Sequence, residues 1–209
     1  MLRAHAETMK SGHPQFTAPG PAVERRIDRL LARLTWAEKC SLLGGHHMHT
    51  TGIPRVGLPS LRLADGPMGV HGTDGTATAY PAGLALASSW DRALARRVGA
   101  ALGRDARARG IHFLLAPGVN LYRSPRCGRN FEYLGEDPVL AAQIAGGYIR
   151  GVQDQGVCAT VKHFALNFQE YDRHQISSDV DERTWRELYA VAFEHAVREA
   201  GVGAVMTAY

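Results

Sequence analysis

The sequence predicts an α/β fold with a parallel sheet, and three observations carry that prediction. Short apolar runs alternate with stretches of helical period along most of the chain. The later runs begin about 45 residues apart, room enough for a crossover helix and a long loop. The unusual polar residues stand directly after the apolar runs, where the carboxyl ends of parallel strands would gather them on one face.

Taken in order, residues 1–22 mix polar residues with Gly and Pro and read as a flexible tail ahead of a domain at 23–209. Val23, Ile27, Leu30, Leu31 and Leu34 recur at helical spacing, and Thr35 with Glu38 has the capping-box pattern for a short helix from Trp36 to Leu43. Leu61-Arg-Leu-Ala64 reads as a strand stopped at Asp65-Gly-Pro67, and Ala82 to Ala87 reads as a second. Asp91 opens a helix through Arg109 that Gly110 ends.

Ile111 to Ala116 is a buried strand, followed by a polar loop at 117–135 and a helix from Pro138 to Val152. Val157 to Val161 is the next strand, and a loop at 162–180 follows it. Asp181 then caps a helix running to Ala200, and Val202 to Met206 forms the last strand. Strands thus start near residues 61, 82, 111, 157 and 201. Such alternation fits either a doubly wound sheet or a barrel; no G-x-G-x-x-G follows a strand, which weighs against the dinucleotide-binding form of the first. Trp36, Trp90 and Trp185 are expected to pack within the domain.

Composition narrows the functions. The 209 residues are 45% hydrophobic and 21% charged, ordinary globular usage for one folded domain that needs no staple. Three cysteines, Cys40, Cys127 and Cys158, are too few and too scattered for a disulfide framework or a C-x-x-C zinc site, so a reducing compartment is expected. The net charge of +4 is spread without a basic arm, which argues against nucleic acid. No apolar run approaches the ~20 residues of a membrane span, and the first residues lack the ~7–15 apolar positions of a signal peptide. A cytoplasmic location with no membrane partner follows as the expectation.

Five residues stand out for chemistry. Asp65 ends a strand, Lys162 and His163 follow another, and Arg129 and Arg173 lie in the loops after two strands. Each alone has an ordinary reading as a turn residue or a loop ion pair. Together they bring a carboxylate and four nitrogen donors from three βα loops, a set suited to vicinal hydroxyls of a neutral sugar. A phosphate would find the Asp65 charge unwelcome and would lack a glycine-rich loop. A Schiff base on Lys162, as in an aldolase, is a further reading. The His46-His47-Met48-His49 run has no second ligand cluster at a recognised spacing and reads as a solvated loop.

With these motifs in hand, the chain resembles the N-terminal domain of glycoside hydrolase family 3, the β-glucosidase and β-xylosidase group. The matching segments run colinearly and include Leu63-Ala-Asp-Gly-Pro67, Ala116-Pro-Gly-Val-Asn120, Arg126-Cys-Gly-Arg-Asn-Phe-Glu132, Gly135-Glu-Asp-Pro138, Val161-Lys-His-Phe164, Asn167-Phe-Gln-Glu170 with Arg173, and Val205-Met-Thr-Ala-Tyr209. The resemblance implies a (β/α)₈ TIM-type barrel, here incomplete with about its first five β/α units, and retaining hydrolysis of terminal β-linked sugars. It matches Asp65 to the carboxylate that holds sugar hydroxyls, and Arg129, Lys162, His163 and Arg173 to the donors around the ring.

Met206 and Tyr209 match subsite residues on the resemblance alone; periodicity would place Met206 in the core. His71 stands where the family usually has Arg, which implies a weaker or missing sugar contact. The family's nucleophile, an Asp typically within Ser-Asp-Trp, and its acid/base are expected beyond Tyr209, so no catalytic carboxylate is assigned here. The Lys-His-Phe-Pro-Gly-His-Gly-Asp segment of the family's bacterial β-N-acetylhexosaminidases is replaced by Lys162-His-Phe-Ala-Leu-Asn-Phe-Gln-Glu170. A β-glucosidase-like parent is thus implied, with a β-linked oligosaccharide or glycoside as substrate and no cofactor or metal. The alternative is a non-catalytic sugar- or partner-binding fragment, and open sheet edges predict self-association.

Overall fold

The computed structural model describes residues 20–72 and 75–209. Of the expected tail, residues 1–19 lie outside the described residues, while Pro21 and Ala22 already belong to the first helix, α1 (Pro21–Arg33). Pro suits that helix start, where its missing N–H would have had no helical partner. The helix α2 (Trp36–Ser41) opens with the expected capping box: the Glu38 N–H donates to the Thr35 hydroxyl at 3.2 Å and the Thr35 N–H donates to the Glu38 carboxylate at 2.8 Å. Leu34, Ile53 and Val56 form a small separate core beside these helices. The three histidines of the His46 to His49 run are exposed, as a solvated loop would have them, but the run has regular pairing. It forms an antiparallel hairpin of β1 (Gly45–His46) and β2 (His49–Thr50).

Four strands make the main sheet: β3 (Leu63–Asp65), β4 (Phe113–Leu115), β5 (Cys158–Phe164) and β6 (Ala204–Thr207), all parallel and in that spatial order. Successive strands always sit side by side, with no reversal of direction across the sheet. That is the winding of a barrel, whereas a doubly wound sheet turns back on itself. The expected strand at 82–87 is instead a helix, α3 (Gly83–Ala87), which leaves four parallel strands among the described residues where five were expected. Its two buried residues, Gly83 and Ala87, lie four apart, so one helical face packs inward. Gly83 has no room for a side chain, because a Cβ there would come within 2.6 Å of the Tyr133 carbonyl oxygen.

The outer layer is built by α4 (Arg92–Ala108), α5 (Pro138–Gln153) and α7 (Val191–Arg198). Aspartates start the first two as read from sequence: Asp91 Oδ1 accepts from the Ala93 and Leu94 N–H groups, and Asp137 Oδ1 accepts from Leu140. Helices α4 and α5 touch backbone to backbone. A Cβ at Gly99 would lie 2.2 Å from the Tyr148 carbonyl oxygen, and one at Gly151 would lie 2.1 Å from that of Arg96. The expected single helix from Asp181 to Ala200 is broken into a short α6 (Glu182–Thr184), a π-helical stretch at Trp185–Tyr189, and α7. The wider turn accompanies an inward-facing Tyr189, whose ring packs against Phe168.

Trp185 packs edge-on against Phe164, but Trp36 and Trp90 are exposed, against expectation. Each lies beside a cap rather than in the middle of an apolar face, so its side chain has no core to enter. No helix among the described residues is long and apolar enough to cross a membrane.

Candidate functional site

The site is built at the carboxyl ends of the four parallel strands. Asp65 ends β3, and the turn after it is held on two sides: the Tyr148 hydroxyl of α5 donates to the Gly66 carbonyl at 3.2 Å, and the His71 N–H donates to the Asp65 carbonyl at 2.7 Å. Beyond β4, the chain continues alongside β5. The Lys162 N–H donates to the Pro117 carbonyl at 3.0 Å, and the Val119 N–H donates to the Lys162 carbonyl at 2.8 Å. The register against β6 shifts between Lys162 and Phe164. Strand alternation is interrupted there, and both Lys162 and His163 are buried, each about 1% exposed.

Lys162 and Arg129 converge on one carboxylate that the sequence reading did not promote. Glu132 is only 4% exposed; one oxygen accepts from Arg129 Nε and the other lies 3.0 Å from Lys162 Nζ. Lys162 Nζ also reaches Asp65 Oδ1 at 3.3 Å. The Asp65 side chain is itself 57% exposed, so its carboxylate keeps acceptor capacity facing outward. Burial alone would lower the Arg129 pKa, but its bond to Glu132 raises it overall and keeps the guanidinium charged.

A second group of contacts surrounds His163. Asn120 clamps its backbone, accepting from the His163 N–H at 2.9 Å and donating to the His163 carbonyl at 3.0 Å. The Tyr133 hydroxyl lies 3.3 Å from His163 Nδ1, and Asn167 Nδ2 donates to that hydroxyl at 3.1 Å. Asn167 Nδ2 also donates to Glu170 Oε1 at 3.0 Å, while Glu170 Oε2 pairs with Arg173. Burial, and then the cations Arg129, Lys162 and Arg173, pull the His163 pKa down to about 3. The imidazole is therefore neutral at ordinary pH. Burial likewise pushes the Tyr133 phenol well above its usual value.

Of the residues expected from sequence, Asp65, Arg129 and Lys162 line one cavity of about 440 Å³, with His71, Tyr80 and Phe131 on its other walls. His163 adjoins it through Lys162. Arg173 and Tyr209 stand together, the Tyr209 ring centre 3.8 Å from the guanidinium carbon and 6.4 Å from the His163 ring. Met206 is the register partner of Lys162 on β6 and is half-buried rather than core. The residues that sequence reasoning missed are Asn120, Glu132, Tyr133, Asn167 and Glu170. Two had a usable signal, since Glu132 follows Arg129 by three positions and Glu170 precedes Arg173 by three, the spacing at which ion pairs form on one turn.

The cavity thus alternates carboxylate acceptors with ammonium and guanidinium donors on a largely buried wall. Such a set exchanges hydrogen bonds with a polyhydroxylated neutral molecule, whereas an anion would meet Asp65 and Glu132. Lys162 Nζ, shared by two carboxylates, is a donor in this arrangement rather than a free amine nucleophile.

The profile of the glycosyl hydrolase family 3 N-terminal domain matches residues 44–209. The chain is 45% identical over 195 residues to thermostable beta-glucosidase B of Acetivibrio thermocellus, covering 88% of this chain and 26% of that protein. It is 49% identical over 189 residues to a beta-glucosidase of Rhizobium radiobacter, covering 88% of this chain and 23% of that one. Among solved structures, beta-glucosidase 3B from Thermotoga neapolitana in complex with alpha-D-glucose superposes with a TM-score of 0.83 at 40% identity, covering 88% of this chain and 29% of that one. The Kluyveromyces marxianus beta-glucosidase in complex with glucose gives 0.85 at 39% identity, covering 88% and 23%. The chain spans about a quarter of the length of these relatives. Its parallel sheet is accordingly part of a TIM-type barrel, and with the profile covering most of its length, the chain belongs to glycosyl hydrolase family 3, in the segment of that family's N-terminal domain.

Proposed function

We propose that this chain forms the sugar-holding wall of a retaining β-glucosidase and takes the terminal, non-reducing β-linked glucosyl unit of an oligosaccharide or glycoside. The observation that carries the reading is the convergence of Asp65, Arg129 and Lys162 on one cavity, in a chain whose solved relatives are described with glucose bound. In it, Asp65 accepts from sugar hydroxyls, and Arg129, Lys162 and His163 donate to them. Arg173 and Tyr209, with Met206 behind, form the adjoining wall.

Cleavage with retention needs two carboxyl groups about 5–5.5 Å apart, one acting as nucleophile and one as acid/base. Glu132 and Glu170 each hold two partners of their own. We assign no nucleophile among the described residues. Two further parts of this reading are a cytoplasmic location, supported by three unpaired cysteines, and self-association through the edge of β6.

Glucose titration of the 209-residue chain and of its Asp65→Asn variant tests the reading. The variant replaces an acceptor by a donor, so affinity should fall by on the order of 1–3 kcal/mol, and neither protein should turn over p-nitrophenyl β-glucoside. Equal glucose affinity in the two would return Asp65 to the role of a turn residue. Turnover that Asp65→Asn abolishes would mean that the 209 residues hold a working carboxylate pair.

A further inference from the structure

We propose that a hydrogen-bond chain, Glu170–Asn167–Tyr133–His163, fixes the histidine tautomer, placing the imidazole proton on Nε2 so that this nitrogen is the donor toward bound sugar. The inference deepens the sugar-binding reading and rests on it for the identity of the acceptor, but the direction of the chain follows from the contacts alone.

The direction is set at the carboxylate end. Glu170 Oε1 can only accept, so the Asn167 atom 3.0 Å from it is the amide nitrogen, and the amide cannot be reversed. The same nitrogen has a second N–H, and the Tyr133 hydroxyl at 3.1 Å receives it. The Tyr133 oxygen is thereby an acceptor from Asn167, and its own proton has to go elsewhere. Tyr133 is fully buried, so no solvent takes that proton. His163 Nδ1, 3.3 Å away, is the remaining partner, and it can accept only when it carries no hydrogen.

Asn120 closes the other option. Its amide orientation is fixed by the two backbone bonds to His163, because reversing it would set donor against donor and acceptor against acceptor. Its oxygen already accepts the His163 N–H and lies 3.4 Å from Nδ1, farther than the tyrosine hydroxyl. A proton on Nδ1 could turn only to the second lone pair of this oxygen, and it would strand the Tyr133 hydroxyl without an acceptor. Buried polar hydrogens left unpaired are costly, so the Nε2–H form is favoured. Tyr133 is therefore a positioning residue. It acts on sugar through the histidine.

The test is nitrogen-15 NMR of the imidazole in the full 209-residue chain at neutral pH. The expected spectrum for His163 has an unprotonated Nδ1 and a protonated Nε2, and Tyr133→Phe should move the proton toward Nδ1, where Asn120 can take it. Adding glucose should shift the Nε2 resonance of the parent chain, and Tyr133→Phe should weaken glucose binding about tenfold. A protonated Nδ1 in the parent chain, or a tautomer unchanged by Tyr133→Phe, would overturn the proposal. Should the phenylalanine variant not fold, the parent spectrum decides alone. The expected tautomer with no response to glucose would leave the chain of bonds standing and count against the sugar reading instead.

Discussion

The carboxyl ends of β5 and β6 lie side by side in the sheet and are built by opposite means. At β5, Lys162 and His163 are buried, and internal partners, the buried Glu132 on one side and the Tyr133–Asn167–Glu170 chain on the other, set their directions. At β6, Met206 is half-buried and Tyr209 is exposed, held by its stacking under Arg173. The contrast reaches the backbone ladder itself. Val161 of β5 and Val205 of β6 are register partners, yet Val161 is fully buried and Val205 is 44% exposed. A donor aimed by fixed internal partners is ready before any ligand arrives, so little ordering cost falls on binding. A residue placed by stacking alone pays that cost at the moment of contact.

The largest way to break this contrast is to remove the carboxylate on which the β5 side depends. Glu132→Ala leaves buried Lys162 with only the exposed Asp65 carboxylate and half-buried Arg129 without its partner, a kind of loss that costs about 3 kcal/mol. The exposed Arg183–Glu187 pair is the control, and Glu187→Ala should cost no more than about 0.5 kcal/mol. Urea unfolding of the two variants against the parent chain measures both. Similar small losses would show that Lys162 and Arg129 find other partners or water, and the β5 end would no longer count as preset.

A pH scan sharpens the same comparison with a smaller effect. The His163 value near 3 lies below the ordinary 6.5 because burial and three neighbouring cations oppose its charge. Between those two values the unfolded chain takes up a proton that the folded chain refuses. The contribution is therefore fully present above pH 6.5 and drains away as pH falls toward 3, at most about 1.4 kcal/mol per pH unit for one group. In His163→Gln that part of the acid sensitivity should vanish, read as a smaller drop in urea midpoint between pH 7 and pH 5. An equal drop in both proteins would mean that His163 protonates freely in the fold.

What the sequence disclosed follows from how far each signal reaches. Asp65, Lys162 and His163 were legible because charge directly after an apolar run contradicts the burial that the run implies. The helix starts at Thr35, Asp91 and Asp137 were legible because capping is local chemistry with few competing patterns. The segment at 82–87 misled because Leu84 and Leu86 alternate like a strand, while the buried positions are Gly83 and Ala87, and glycine carries no hydrophobic signal. The contacts of His163 with Tyr133 and Asn120 span 30 and 43 positions, and Asn167 reaches Tyr133 across 34, so only the packed fold reveals them.

The finest probe of the difference is the pair of register-matched valines. Val161→Ala removes two methyl groups from a packed interior and should cost about 2 kcal/mol, whereas Val205→Ala should stay within about 0.5 kcal/mol of the parent chain. Both are valines in register on the same face of the sheet, and they differ in burial and in lying on a central and an edge strand. The exposed position has a second consequence. Val205 adds an apolar side chain to an edge strand whose outer hydrogen-bonding groups face no neighbour among the described residues, and Val205→Lys places a charge there instead. Light scattering after size-exclusion chromatography should show a larger monomer fraction for Val205→Lys with an unchanged unfolding midpoint. An equal cost for the two alanine variants would mean that β6 is covered in solution as fully as β5, and then the two ends would differ in chemistry alone.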